Sequence, residues 1–113
     1  MRMSSSVVAS CVLVLLLPLR AAAISDQQFR SIQALGELNG VALQCGFIKQ
    51  TRRMKKALVE TLPKRRALGQ SFEDVTNQSY LRFIENGNSC PDAVEFSGRV
   101  GAAIDNLKQA FLQ

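Results

Sequence analysis

The residues best placed to do chemistry in this 113-residue chain are cations. Between Lys49 and Arg66 lie eight of them (Lys49, Arg52, Arg53, Lys55, Lys56, Lys64, Arg65 and Arg66) against one acid, Glu60, a net charge of +7. A one-sided field of this kind accelerates association with an acidic partner. An acidic protein surface is the first candidate, an anionic membrane or glycan the second. Nucleic acid is disfavoured, because no aromatic residues interleave with the cations to stack on bases. The competing reading is a solvated helix face with no partner at all. The candidate binding residues are Lys49, Arg52, Arg53, Lys56, Lys64, Arg65 and Arg66.

Other chemistries find less support. The chain contains no histidine, which removes Ser-His-Asp and Cys-His nucleophile systems and His-ligated zinc. Ser71, Ser79 and Ser97 have no visible base, and the short acidic groups Glu73-Asp74 and Asp92/Glu95 lack metal-loop spacing. They read as surface and capping residues. Asn77-Gln78-Ser79 matches a glycosylation sequon but falls within a helical segment. No catalytic, metal or cofactor site is expected, and the protein reads as a non-enzyme.

Cys45 and Cys90 carry the second chemistry. Their meaning depends on compartment, and the first 23 residues supply an address. Arg2 precedes the apolar stretch Val12-Leu13-Val14-Leu15-Leu16-Leu17, followed by Pro18 and the small-residue exit Ala21-Ala22-Ala23. That order is the layout of a secretory signal peptide, and the stretch is shorter than the about 20 residues needed to span a bilayer. Cleavage after Ala23 would start the mature domain at Ile24, in the periplasm or outside the cell. A lipoprotein reading of Val8-Ala9-Ser10-Cys11 fails because most of the apolar stretch follows Cys11. Loss of Cys11 leaves Cys45 and Cys90, which in an oxidising compartment are expected to pair within the chain. An intermolecular bridge and free thiols are the alternatives. Removing Arg2 and Arg20 also lowers the net charge from +5 to +3, so the basic run stands out as local.

The remaining 24–113 reads as one all-α domain of four helices, with apolar residues recurring at helical spacing and no alternating runs. The first helix begins after Ser25, with Gln28 as capping-box partner. Asp26, Arg30, Gln33, Glu37 and Gln44 form one narrow polar stripe. Phe29, Ile32, Leu35, Leu38, Val41, Ala42, Leu43 and Cys45 occupy most of the rest, which predicts a central helix wrapped by the others. Gly36 and Gly40, one turn apart, either admit a close neighbour or weaken the helix with a break at Asn39-Gly40.

A second helix is expected over 46–62, ended by Pro63. Phe47, Met54, Leu58 and Leu62 face the core. Lys49, Arg52, Arg53, Lys56 and Glu60 lie opposite, with Lys55 on the flank. The third, over 65–85, would bury Leu68, Phe72, Val75 and Phe83, with Tyr80 at its margin and Asn86-Gly87 as the stop. The fourth, over 91–112, would start with Pro91 at its first position and bury Phe96, Val100, Ala103, Ile104, Leu107 and Phe111. Short connections favour antiparallel neighbours, and a Cys45–Cys90 bridge would tie the end of the first helix to the start of the fourth, ends that lie together if those two helices pack antiparallel.

A cleaved signal, an all-helical domain and one long-range disulfide resemble small periplasmic proteins of bacteria. Cys90 leads into Phe96-x3-Val100-x4-Asp105-x2-Lys108, which is similar to the last helix of the HdeA-type acid-stress chaperones. That resemblance implies opening at low pH to expose apolar surface to clients. Without histidine, such a switch would rest on carboxylates titrating near about pH 4. Gly46-Phe47 after Cys45, and Cys90-Pro91 before the last helix, are similar to the helical immunity proteins that neutralise type VI secretion toxins, although those usually carry further cysteines. The expectation is an inhibitor, immunity or accessory protein that binds another macromolecule through a basic helix face, with a periplasmic stress chaperone as the alternative.

Overall fold

The computed structural model describes residues 23–112. The expected signal peptide, apart from Ala23, and Cys11 lie outside the described residues. Four helices follow one another: α1 Asp26–Gln44, α2 Ile48–Thr61, α3 Arg66–Glu85 and α4 Ala93–Ala110, with no strand among the described residues. The all-α reading and the order of four helices hold.

Each helix end has a local cause. Ser25 caps α1 through a full capping box: its hydroxyl accepts from Gln28 N–H, while the Gln28 side chain accepts from Ser25 N–H. At the other end Gly46 adopts φ +71°, and Phe47 N–H reaches back to the Ala42 carbonyl. This is a Schellman closure, in which a left-handed residue satisfies the orphan carbonyls. It delays α2 until Ile48, two residues later than periodicity suggests. α3 ends the same way, with Gly87 at φ +60° and Asn88 N–H on the Phe83 carbonyl. α2 stops at Thr61 because Leu62, before Pro63, is driven to extended backbone. α4 departs from expectation at its start. Pro91 lies outside the helix, and Asp92 is the cap, its carboxylate accepting from Val94 and Glu95 N–H. The side-chain cap sets the boundary two residues beyond the proline.

α1 is the hub and packs against all three other helices. It runs antiparallel to α4, as two contacts at opposite ends establish. Cys45 is bonded to Cys90, with their Cα atoms 5.6 Å apart, and Gln28 Nε2 donates to the Ala110 carbonyl at 3.0 Å. α3 runs parallel to α1: Gly36 faces Phe72 and Val75, and Gly40 faces Ser79 and Tyr80. α2 in turn runs parallel to α4, and Arg53 and Glu60 lie beside Gly101 and Asp105 to Lys108. The chain therefore goes up, down, up, down.

Ile32, Leu35, Met54, Phe96, Val100 and Leu107 form the fully buried centre, with Phe47 tilted against Phe96 at 5.1 Å between ring centroids. On the other side of α1 the α3 contact is made of small and polar groups. Asn39 Nδ2 donates to Thr76 Oγ1 at 3.2 Å, Thr76 Oγ1 donates to the Phe72 carbonyl, and the Ser79 hydroxyl donates to the Glu37 carbonyl at 2.6 Å. Gly36 and Gly40 thus serve close approach, and no break occurs at Asn39.

Three burial expectations are corrected by this arrangement. Phe29 and Leu43 are 41% and 47% exposed, because only three helices surround α1 and its sheath is incomplete. Val75 and Phe83 are half-buried, whereas Thr76 is buried with Phe72 and Leu68. The close approach at Gly36 and Gly40 fixes the rotation of α3, which turns Phe72 and Thr76 inward and leaves Val75 at the edge of the contact. Phe111 is half-buried at the α4 C-cap.

Candidate functional site

α2 turns Thr51, Met54, Ala57 and Leu58 into the core. Its opposite side then necessarily carries Lys49, Arg52 and Lys56, one per turn, with Lys55 beside them, and all four are exposed. From Lys49 to Lys56 this stripe is about 10 Å long. A single ion pair interrupts it among the described residues, Lys56 Nζ to Glu60 Oε1 at 3.7 Å, with both side chains largely in water. Such a pair holds little energy and leaves the lysine available.

Pro63 turns the chain at the end of α2, and Arg65 N–H closes onto the Pro63 carbonyl at 2.7 Å. Arg65 is half-buried at the N-cap of α3, while Lys64 and Arg66 are exposed on either side of it. The elbow therefore carries two outward cations, with Glu60 between them and Lys56 along the chain.

Helix electrostatics sharpen the effect. Neither α2 nor α3 has an acid in its first turn or a side-chain cap, whereas α1 starts with Asp26, and α4 with Asp92 and Glu95. Cations at a helix N-terminus oppose the macrodipole and reduce helix stability. Lys49 at the start of α2, and Lys64 to Arg66 at the start of α3, are thus placed against the interest of their own helices.

Arg53 belongs elsewhere. Its guanidinium donates to Gln50 Oε1 and to the Ser97 carbonyl, both at 3.1 Å, and lies over Gly101, where a β-carbon would meet Nη2 at 2.9 Å. Arg53 therefore fastens α2 to α4 across the helix interface. Ser97 and Gly101, one turn apart on α4, are the small residues that make room for it. That pairing could have been read from the sequence only by knowing that α2 and α4 run parallel.

Sequence reasoning missed an apolar feature at the elbow. Leu58, Val59, Leu62 and Pro63 on one side and Gly69 on the other line an open recess of about 370 Å³, edged by Lys64, Arg65 and Arg66. Val59 is 82% exposed.

Two of the three serines are engaged structurally, Ser79 on the Glu37 carbonyl and Ser97 beside the Arg53 guanidinium. No three His, Cys, Asp or Glu side chains gather as a metal site among the described residues. Nor is any described helix long and apolar enough to cross a membrane. No protein-family model matches this chain, and neither a curated protein nor a solved structure does.

Proposed function

We propose that this protein is an exported, non-enzymatic helical module that binds an acidic protein surface through the outer face of α2 and the α2–α3 elbow. It would act in the periplasm, or outside the cell, as an inhibitor, immunity or accessory protein. The observation that carries this reading is the placement of cations at the starts of α2 and α3, where they oppose the helix dipoles. The helix dipoles do not favour that placement, and an anionic partner would offset its cost.

Lys49, Arg52, Lys56, Lys64 and Arg66 are the residues that would meet the partner. Arg53 contributes by holding α2 on α4. Attraction of this kind acts first on the association rate and weakens as salt rises past the Debye screening range.

The test is capture from periplasmic extract on the immobilised, oxidised protein, followed by titration of the recovered partner. Reversing Arg52, Lys56 and Arg66 to Glu should abolish capture with the helical circular-dichroism signal unchanged, and raising salt from about 0.05 to 0.5 M should weaken binding of the native protein. A partner that binds the reversed protein as tightly as the native one would sink the assignment.

A further inference from the structure

The recess at the elbow is open, apolar in its walls and basic at its rim, and it lies at one end of the α2 cation stripe. Gly69 is part of its lining. This residue sits in the first turns of α3, where glycine is a poorer helix former than alanine by up to about 1 kcal/mol. A β-carbon added there would meet nothing within 4 Å. Neither a turn, a left-handed φ nor a close helix contact explains the glycine. The contrast with Gly36 and Gly40, which are packed against α3, is direct. With no side chain, Gly69 adds only backbone to a lining that Val59, Leu62 and Pro63 also form.

Resting on the basic-face reading, we infer that the recess receives one bulky apolar side chain from an acidic segment of the partner protein. The acids flanking that side chain would meet Lys64 and Arg66 at the rim and the α2 stripe beyond. The concave shape selects a single inserted side chain over a flat lipid surface, into which apolar groups would have to project. The division of labour is the usual one for an interface: a desolvated apolar anchor in a pocket supplies affinity, and rim charges supply rate and register.

Two synthetic peptides test this, Asp-Glu-Asp-Phe-Asp-Glu-Asp and the same peptide with Ser in place of Phe, each titrated into the oxidised protein and followed by amide NMR shifts. The Phe peptide should bind at least about ten-fold tighter, since burying a phenyl ring in an apolar site is worth that much or more, and should shift the amides of Val59, Leu62 and Gly69. In Gly69→Leu, which fills the recess with a good helix former, the Phe preference should vanish while the Ser peptide binds as before. Equal binding of both peptides to the native protein, or a preference that survives Gly69→Leu, overturns the recess and leaves the basic face standing. Silence from both peptides up to millimolar concentration overturns the recess and the basic-face reading together. Vesicles of phosphatidylglycerol and phosphatidylcholine that shift the same three amides, where the Phe peptide does not, overturn it in favour of a membrane.

Discussion

Gly40→Ala should destabilise the domain, although helix propensity alone says the opposite. In an isolated helix the exchange gains about 1 kcal/mol. Here the new β-carbon would stand 2.6 Å from the Tyr80 backbone nitrogen and 2.6 Å from Ser79 Oγ, against a comfortable carbon contact of roughly 3.5–4 Å. The obstacle is backbone, so no rotamer change relieves it and α3 must move outward by about 1 Å. Overpacking of this kind costs about 1–3 kcal/mol. The shift also lengthens the bond from the Ser79 hydroxyl to the Glu37 carbonyl, worth about 1 kcal/mol. The net expectation is a loss of about 1–3 kcal/mol. Urea unfolding with the disulfide intact should show the midpoint falling by about 1 M, for a slope near 1–2 kcal/mol per M. Gly69→Ala, with nothing to strike, should move the other way by up to about 1 kcal/mol. If Gly40→Ala proves as stable as the native protein or more so, the close α1–α3 seam is wrong.

Two more outcomes follow from the same packing. Reduction of Cys45–Cys90, or its replacement by a Ser pair, removes the constraint on a 45-residue separation and should lower stability by about 4 kcal/mol in the chain-entropy model, read as the difference between unfolding curves with and without reductant. Thr76→Val leaves the buried Asn39 Nδ2 without its acceptor and should cost about 1–3 kcal/mol. Adding Asn39→Leu should recover part of that loss, so a double mutant less stable than Thr76→Val alone would refute the coupling.

The sequence carried the elements well and the depths badly. Ser25 with Gln28, Gly46, Pro63 and Asn86-Gly87 are local signals, and local backbone chemistry decides helix ends, so three of the four helices end as expected at one side or both. Pro91 misled because the Asp92 cap, a side-chain effect one residue later, outcompeted the proline's own preference. Burial depends on how many neighbours a helix finds and how near they come. Phe29 and Leu43 on α1 are as apolar as Leu35, and nothing within the helix distinguishes the side that α2, α3 and α4 leave open. Thr76 buries in preference to Val75 because the glycine seam fixes the α3 rotation, a fact held by α1. The basic stripe was legible because amphipathic spacing alone turns Lys49, Arg52 and Lys56 outward. Arg53 and the Gly69 recess were not, since each is made where two helices meet, and helix direction alone does not say which residues face each other.

The disulfide has a mechanical meaning beyond its effect on unfolding equilibria. The start of α1 and the end of α4 lie side by side, joined through Gln28 and Ala110, and the opposite ends of those helices are joined through Cys45 and Cys90. Tension applied to the two ends of the domain would run down α1, across the sulfur bridge and back along α4. α2, the elbow and α3 hang on a closed ring outside that path. Stretching should therefore peel α1 from α4 and then stop, and reduction should release a further extension of about 150 Å from the 45-residue separation. A surface carried on an unloaded loop remains covalently closed while the chain ends are pulled apart.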